Sequence, residues 1–368
     1  MKYDYLVVGA GLFGSVFAHE AKSKGKKVIV LERRGHIGGN CYSYDFENTG
    51  INIPKYGAHI FHTTSKEIWD YFGKYAQFNR YQHRVLTTYK DKVYSMPINL
   101  STINNFYGVN LRPFEVDEFM RSTRYIDREP DNFEDKAVSL IGKELYEAFI
   151  KGYTVKQWDC MPKDLPKDIM GRLPVRNSFF DSYYNDNYQG MPIGGYTPIF
   201  SQLLEGVEVI LNTDFFAKRA YWESISDNIV FTGPVDRFYD YKCGKLRWRS
   251  LKFEIERLNL ADYQGTSVMN YPEIEIPYTR IIEPKHFYRE RQIVDDCTVI
   301  IRELPISNDD EPYYPVNLDD DRCKYSEYAK MQKKETNVIF GGRLAEYKYY
   351  DMDQVVSAAL NRSRESLR

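Results

Sequence analysis

The sequence predicts an α/β protein in three parts: a nucleotide-binding domain assembled from separated stretches, a small helical insert, and an antiparallel β-sheet domain. Three observations carry this. The chain opens with a short apolar run, Tyr5-Leu6-Val7-Val8, that leads directly into Gly9-Ala10-Gly11-Leu12-Phe13-Gly14 and then into a helical pattern from Phe13 to Lys24. Between Thr102 and Asp159 glycine is sparse, and Ala137, Leu140, Ile141, Leu145, Tyr146, Phe149 and Ile150 recur at helical spacing. From Leu246 to Arg302 apolar residues fall at every second position, as in Leu251, Phe253 and Ile255 or Cys297, Val299 and Ile301, which is the period of a half-buried strand.

The opening stretch has the form of a Rossmann-type dinucleotide-binding start. Gly9 permits a tight turn off the strand, Gly11 lets backbone approach a pyrophosphate, and Gly14 lets the helix lie close on the sheet. The first helical turn has N–H groups without intrahelical acceptors, so it favours phosphate. Gly25 stops the helix. A second strand, Lys27 to Leu31, ends on Glu32, where an acid accepts hydrogen bonds from a ribose diol and disfavours a 2′-phosphate. Next, Arg33-Arg34-Gly35-His36-Ile37-Gly38-Gly39-Asn40 supplies a second glycine pair that would bring another loop to the same pyrophosphate. A nicotinamide enzyme does not need it. The arrangement resembles flavoproteins of the glutathione-reductase and amine-oxidase type, so FAD is the expected cofactor, with Gly9, Gly11, Phe13, Gly14, Glu32, Arg33, Gly38, Gly39 and Asn40 around it.

Further along, Lys55 to His62 places His59 and His62 at i, i+3, where they could share a helix face as a metal pair. No carboxylate or cysteine stands at ligand spacing, so packing or flavin contact is expected for His59, Ile60 and His62, and no metal. Ser65 to Phe72 reads as a helix, and Val85 to Tyr94 as a strand pair around Lys90-Asp91-Lys92 that Met96-Pro97-Ile98 closes. Pro162 to Pro174 is punctuated by proline and suits a lid. Tyr188 to Tyr196 is a glycine-proline turn ahead of a helix (Thr197 to Leu204) and a strand (Val207 to Leu211). Asn228 to Pro234 and Asn337 to Arg343 read as further strands with turns, and Asp351 to Leu360 as a last helix whose N-terminus could face the flavin. The nucleotide domain is therefore expected to be discontinuous, over 1–79, 188–240 and 318–368. The helical insert spans 98–172 with a mobile lid near 162–180, and the antiparallel sheet domain spans 80–97 and 241–317.

At 368 residues, 43% hydrophobic and 28% charged, the chain can bury a large core. A formal net charge of -2 argues against a nucleic-acid or membrane-surface binder, so any anion site has to be local. Five cysteines without CxxC spacing suit reduced thiols. No leader pattern and no apolar run of ~20 residues is present, and the expected setting is cytoplasmic, without membrane insertion. An aromatic content of 15%, with 32 tyrosines, is compatible with a nucleotide or sugar site.

Several stretches in this order resemble the UDP-galactopyranose mutases, and the likeness covers nearly the whole chain. They are Gly9 to Gly14, Gly38-Gly39-Asn40, Tyr56 to His62, Lys151 to Trp158, Arg172 to Arg176, Tyr188 to Tyr196, Pro277 to Glu283, Glu311 to Asn317 and Phe340 to Met352. The resemblance implies a reduced-FAD isomerase that interconverts UDP-galactopyranose and UDP-galactofuranose for cell-surface polysaccharide synthesis, as a homodimer. Flavin N5 would attack the anomeric carbon and displace UDP, which later returns.

Arg172 and Arg280 match the family's two diphosphate-binding arginines. A guanidinium forks onto phosphate oxygens and neutralises charge that grows as the bond breaks. Arg172 falls in the lid and would arrive on closure, whereas Arg280 follows a strand and would be preset. Tyr314 and Tyr349 match tyrosines that hydrogen-bond the diphosphate, with Tyr313 and Tyr350 as adjacent alternatives. Phe149, Tyr153, Thr154, Trp158 and Tyr183 match positions around the uridine and sugar. Arg343 and Met352 would meet the cofactor, and Asp351 both substrate and flavin. His83 stands where related sequences carry a smaller amide near the sugar, which leaves UDP-N-acetylgalactopyranose open as a substrate. An amine-oxidase-like oxidoreductase is the alternative that shares only the nucleotide domain, and a non-catalytic sugar-nucleotide sensor is a third class.

Overall fold

Five parallel strands lie side by side in the order Val338–Phe340, Ser226–Phe231, Tyr3–Val8, Val28–Leu31, Glu208–Ile210. A parallel sheet is covered on both faces, so its strands must be apolar on both. Tyr3–Val8 meets that demand by alternation: Tyr5 and Val7 join one core cluster, and Leu6 joins another. The first face takes the helix Leu12–Ser23, with the helices Thr197–Leu203 and Met352–Ser366 against it. The opposite face gathers Phe231, Phe238, Tyr239 and Phe340. The computed structural model describes residues 2–121, 123, 124, 129–167, 169, 174–294, 296–307 and 311–367.

The second sheet runs Tyr314–Pro315, Trp248–Leu258, Thr298–Ile306, Arg280–Ile282, Val268–Asn270, Val85–Tyr89, Lys92–Met96. It is antiparallel except where Val268–Asn270 pairs in parallel with Val85–Tyr89. The expected antiparallel sheet is therefore mixed at one seam. The hairpin 85–96 arrives from far earlier in the chain, so no tight turn dictates its direction there. Its own turn uses Lys90 and Asp91 at φ of 47° and 60°, the left-handed pair that matches strand twist.

Between residues 100 and 158 the chain forms the helices Leu100–Tyr107 and Phe133–Ile141, each capped by an asparagine. Asn99 Oδ1 accepts from Thr102 N at 3.1 Å, and Asn132 Oδ1 from Asp135 N at 2.9 Å. A π-helical turn, Tyr146–Lys151, then runs into the helix Gly152–Trp158. That last helix is locked to the mixed sheet. A Cβ on Gly152 would fall 2.3 Å from Pro272 O. Lys156 Nζ donates to four carbonyls, of Tyr271 (2.6 Å) and of Glu273, Ile276 and Tyr278 (2.9 Å each). Buried Arg249 donates to Gln157 O at 2.9 Å and Lys156 O at 3.3 Å, satisfying carbonyls that the helix end leaves open.

Two of the longer helices depart from the sequence reading. Met352–Ser366 outruns the stretch ending at Leu360, because its last turns are polar outside while Ser363 still faces inward. Asp319–Gln332 was not expected as a helix, since it carries no apolar stripe. Buried Asp321 pairs with Arg247 at 3.0 Å, and Tyr328 Oη bridges Cys243 N at 3.0 Å and Gly244 O at 2.8 Å. Three acids in its first turn suit the helix dipole.

The fit of the first helix on the sheet is tested by two glycines. A Cβ on Gly14 would lie 2.0 Å from Gly9 O, whereas Gly25, at φ +76°, has nothing within 4 Å. Gly14→Ala should lower unfolding free energy by ~3 kcal/mol through overpacking, and Gly25→Ala by ~1 kcal/mol through backbone strain. Urea denaturation reads both. Equal losses would mean that the helix is not seated at Gly14.

Candidate active site

Gly9, Thr232 and Gly341 follow adjacent parallel strands, so their loops gather at one edge of the sheet, where the chain departs from Tyr3–Val8 to either side. A cavity of about 690 Å³ follows this edge. Gly9 has φ +107°, donates its N–H to Leu31 O at 2.7 Å, and would put a Cβ 2.2 Å from Thr232 Oγ1. Gly39, at φ +55°, would put a Cβ 2.9 Å from Gly11 Cα, so the two glycine loops touch backbone to backbone. A Cβ on Gly11 would meet no protein atom nearer than 3.8 Å. Its space is reserved on the cavity side. Together with the N-terminus of Leu12–Ser23, this is a cradle that fits a pyrophosphate.

Glu32 is buried and bound at both oxygens, Oε2 accepting from Ala10 N at 2.9 Å and Oε1 from Arg34 N at 2.8 Å. Each oxygen keeps a lone pair, and the residue lines the cavity, so the bracing role leaves acceptor capacity on the cavity side. Arg33 and Arg34 both pair with Glu311, at 2.7 and 2.6 Å, and Arg34 also donates to Asn40 Oδ1 at 3.0 Å. The Phe13 ring lies against Gly341, where a Cβ would come within 2.0 Å of it. Of the expected cofactor residues, Gly9, Gly11, Phe13, Glu32, Arg33, Gly38, Gly39, Asn40, His59, Arg343 and Met352 line this cavity. Gly14 does not, because it is spent on seating the helix.

A second cavity, of about 770 Å³, lies between the 133–158 helices and the mixed sheet, and shares His59, Arg343, Tyr350 and Met352 with the first. His59 Nδ1 is 2.8 Å from Gly57 O. A carbonyl only accepts, so Nδ1 carries the proton and Nε2 is an acceptor. Burial, with the Arg343 and Arg280 cations nearby, pushes His59 down to about 4, which keeps it neutral. Arg343 donates to Tyr313 O at 3.1 Å and Tyr350 O at 2.7 Å, and its guanidinium lies 5.4 and 5.2 Å from the ring centres of Tyr314 and Tyr349. Those two rings stack at 5.2 Å and 9°.

Arg280 is the charged centre of the second cavity. Nη2 donates to Tyr153 Oη at 2.9 Å, and Nε lies 3.1 Å from Glu303 Oε1 in a close but poorly aligned ion pair. Nη1 has no protein partner among the described residues. Burial by itself would lower the Arg280 pKa, but the Glu303 carboxylate beside it holds it well above the usual value. Burial raises Glu303, and Arg280 opposes that shift. The contact therefore favours the charged form of each partner, against the burial that disfavours it.

Phe149, Tyr153, Thr154, Trp158, Tyr183, Tyr314, Tyr349, Asp351 and His83 all line this cavity with Arg280. Tyr313 and Tyr350 do so as well. Arg172, and residues 168 and 170–173 of the expected lid, lie outside the described residues. Ile60 and His62, expected at the cofactor, line the second cavity and not the first. The reason is local: Phe61–Thr63 is a strand paired with Tyr188–Gly190, not a helix, so His62 turns away from His59. It meets Asp186 Oδ2 at 2.7 Å and stacks on Tyr184 at 3.6 Å.

Sequence reasoning missed Glu303, Tyr184 and Asp186. For Glu303 a signal was present, since Val299, Ile301 and Glu303 fall on one face of a strand and all three are buried. The π-helical turn before Gly152 left no signal, because its apolar spacing reads as an ordinary helix.

A family model described as UDP-galactopyranose mutase matches residues 148–349, and one described as an NAD(P)-binding Rossmann-like domain matches residues 7–75. The dTDP-fucopyranose mutase of Escherichia coli is 38% identical, over 96% of this chain and 96% of that protein. The probable UDP-galactopyranose mutase of Klebsiella pneumoniae is also 38% identical, over 99% of this chain and 94% of that protein. A crystal structure of reduced UDP-galactopyranose mutase shares the fold, with a TM-score of 0.77 at 15% identity, covering 99% of this chain and 95% of that one. The chain therefore belongs to the UDP-galactopyranose mutase family of flavin-dependent isomerases.

Proposed function

We propose that the protein interconverts the pyranose and furanose forms of UDP-galactose. The observation that carries this reading is a half-buried, permanently charged guanidinium, Arg280, lining a cavity that joins the nucleotide cleft. A diphosphate sugar is the ligand class that needs such a group beside a flavin. The glycine cradle and Glu32 would hold the ADP half of FAD, and His59, Arg343, Tyr350 and Met352 would face its ring system where the cavities meet. When bound and reduced, FAD supplies an electron-rich ring nitrogen able to bond to the sugar's anomeric carbon.

The chain's own residues have to retain a leaving group that must come back. Arg280, braced by Glu303 and Tyr153, keeps Nη1 for a phosphate oxygen, and once a bound substrate displaces water its charge counts for more. Tyr314 and Tyr349 offer hydroxyls beside it, and Arg172 is proposed as the second guanidinium. Phe149 and Trp158 exclude water that would otherwise trap the sugar by hydrolysis, and Tyr153 and Trp158 present faces suited to a pyrimidine. Asp351 begins the helix Met352–Ser366, with its N–H donating to Gln354 Oε1 at 3.1 Å, so the positive helix end faces the junction of the cavities. No helix among the described residues is long and apolar enough to cross a membrane. A cytoplasmic homodimer serving cell-surface polysaccharide synthesis completes the reading, on family likeness.

One observation favours a second substrate. Identity to the dTDP-fucopyranose mutase equals that to the probable UDP-galactopyranose mutase, 38% in both cases. Product analysis separates the two. Dithionite-reduced protein incubated with UDP-galactose should yield the furanose isomer, and protein kept oxidised should not. Parallel incubations with dTDP-fucose and UDP-N-acetylgalactosamine rank the sugars. No furanose from any of them would refute a mutase.

Gly11→Val should fold with a near-normal unfolding midpoint yet fail to load FAD, since its side chain meets ligand space and not protein. A yellow, fully loaded variant would misplace the cradle. Arg280→Ala should lower kcat at least ~100-fold with normal FAD content, and Arg280→Lys should recover only part, because an ammonium cannot fork across two oxygens. The same is expected of Arg172→Ala. A variant that raises only KM would make its arginine a ground-state binder.

A further inference from the structure

We propose that Tyr81 and Ser267 fix the tautomer of His83, so that its Nε2–H is offered to an oxygen of the substrate's sugar. The proposal rests on the reading that the second cavity takes a sugar nucleotide. His83 lines that cavity and is 4% exposed. Its backbone is held on both sides, with N–H donating to Gln189 Oε1 at 3.0 Å and C=O accepting from Tyr183 N at 2.7 Å. The ring lies 5.5 Å, centre to centre, from both Tyr183 and Tyr184. It has little room to swing.

Counting donors assigns the protons. His83 Nδ1 lies 3.0 Å from Tyr81 Oη, which lies 2.5 Å from Ser267 Oγ. Ser267 is 4% exposed, and its hydroxyl has no other acceptor among the described residues. A buried O–H left without an acceptor is costly, so Ser267 donates to Tyr81. The Tyr81 hydroxyl then donates to His83 Nδ1. In a neutral imidazole the remaining proton sits on Nε2. Burial, with Arg280 and His62 adding to it, pushes His83 down to about 3, so the ring is neutral at physiological pH.

Nε2 has no protein partner among the described residues, which leaves a buried N–H donor for the cavity's occupant. The donor is uncharged, so it suits a hydroxyl or acyl oxygen, whereas the diphosphate has Arg280 and Arg343 close by. His83 lines only the second cavity, which sets its donor apart from the cofactor cleft. A fixed N–H rejects a sugar that presents hydrogen in place of that oxygen. Tyr81 and Ser267 touch no substrate in this scheme and are positioning residues.

The test uses FAD-loaded protein labelled with ¹⁵N-histidine, with the His83 signals assigned by their absence in His83→Gln. Nδ1 should appear unprotonated and Nε2 protonated, and Tyr81→Phe should mix the tautomers. His83→Phe should weaken UDP-galactose binding roughly 3- to 10-fold, the worth of one neutral hydrogen bond, and leave UDP unchanged. Tyr81→Phe should lose part of the same factor, and His83→Gln should regain part. A protonated Nδ1, or equal losses for UDP and UDP-galactose, overturns the relay. If the unmodified protein fails to isomerise UDP-galactose, the functional reading falls, and the ¹⁵N spectrum still judges the relay.

Discussion

Contact between two backbones, at Gly11 and Gly39, is the constraint on which the nucleotide half of the molecule depends. Loops can meet at that range only where Gly39 carries no side chain, since a Cβ there would fall 2.9 Å from Gly11 Cα. The contact has to be held from outside, and Glu32 does so by accepting N–H bonds from Ala10 in the first loop and Arg34 in the segment leading to the second. Gly14 adds the third element, letting the helix rest on Gly9 O so that its N-terminus opens into the same space. Ligand groove, helix and sheet edge are thus one arrangement. None of its parts can be displaced alone.

The second half is organised by charge. A buried carboxylate, Glu303, is tolerated because the half-buried Arg280 guanidinium accompanies it, and such a pair is weak evidence for stability. Its arrangement speaks instead to orientation. Glu303 stands on the Nε side and Tyr153 holds Nη2, so the outer nitrogen is the one left facing the cavity. Arg343 reaches the same region from the other sheet, its guanidinium beside a stacked tyrosine pair and its hydrogens on two backbone carbonyls. A chain of net charge -2 in this way brings two guanidiniums, Arg280 and Arg343, to one cavity.

Much of this was legible in the sequence, and the limits follow from the signals used. The glycine turn, Glu32 and the alternating strands announced themselves because one residue type or one period fixes one backbone shape. Asp319–Gln332 escaped, since polar contacts from Asp321 and Tyr328 hold it and no apolar period marks it. The parallel pairing of Val268–Asn270 escaped because strand direction depends on where a distant hairpin docks. In the site, residue membership followed from family likeness, while side-chain partnerships did not. That His62 would bond Asp186, or that Glu303 would stand under Arg280, required the sheet register.

The Lys156 ammonium, bonded to four carbonyls of the 271–278 segment, makes the helix Gly152–Trp158 and the approach to Arg280 a single lever. Tyr153 and Trp158 ride on one arm, and Arg280 stands at the end of the other. The two arms are tied by one side chain, the Lys156 ammonium, to four backbone carbonyls. Those bonds set the spacing between the Tyr153 and Trp158 rings and the strand that carries Arg280.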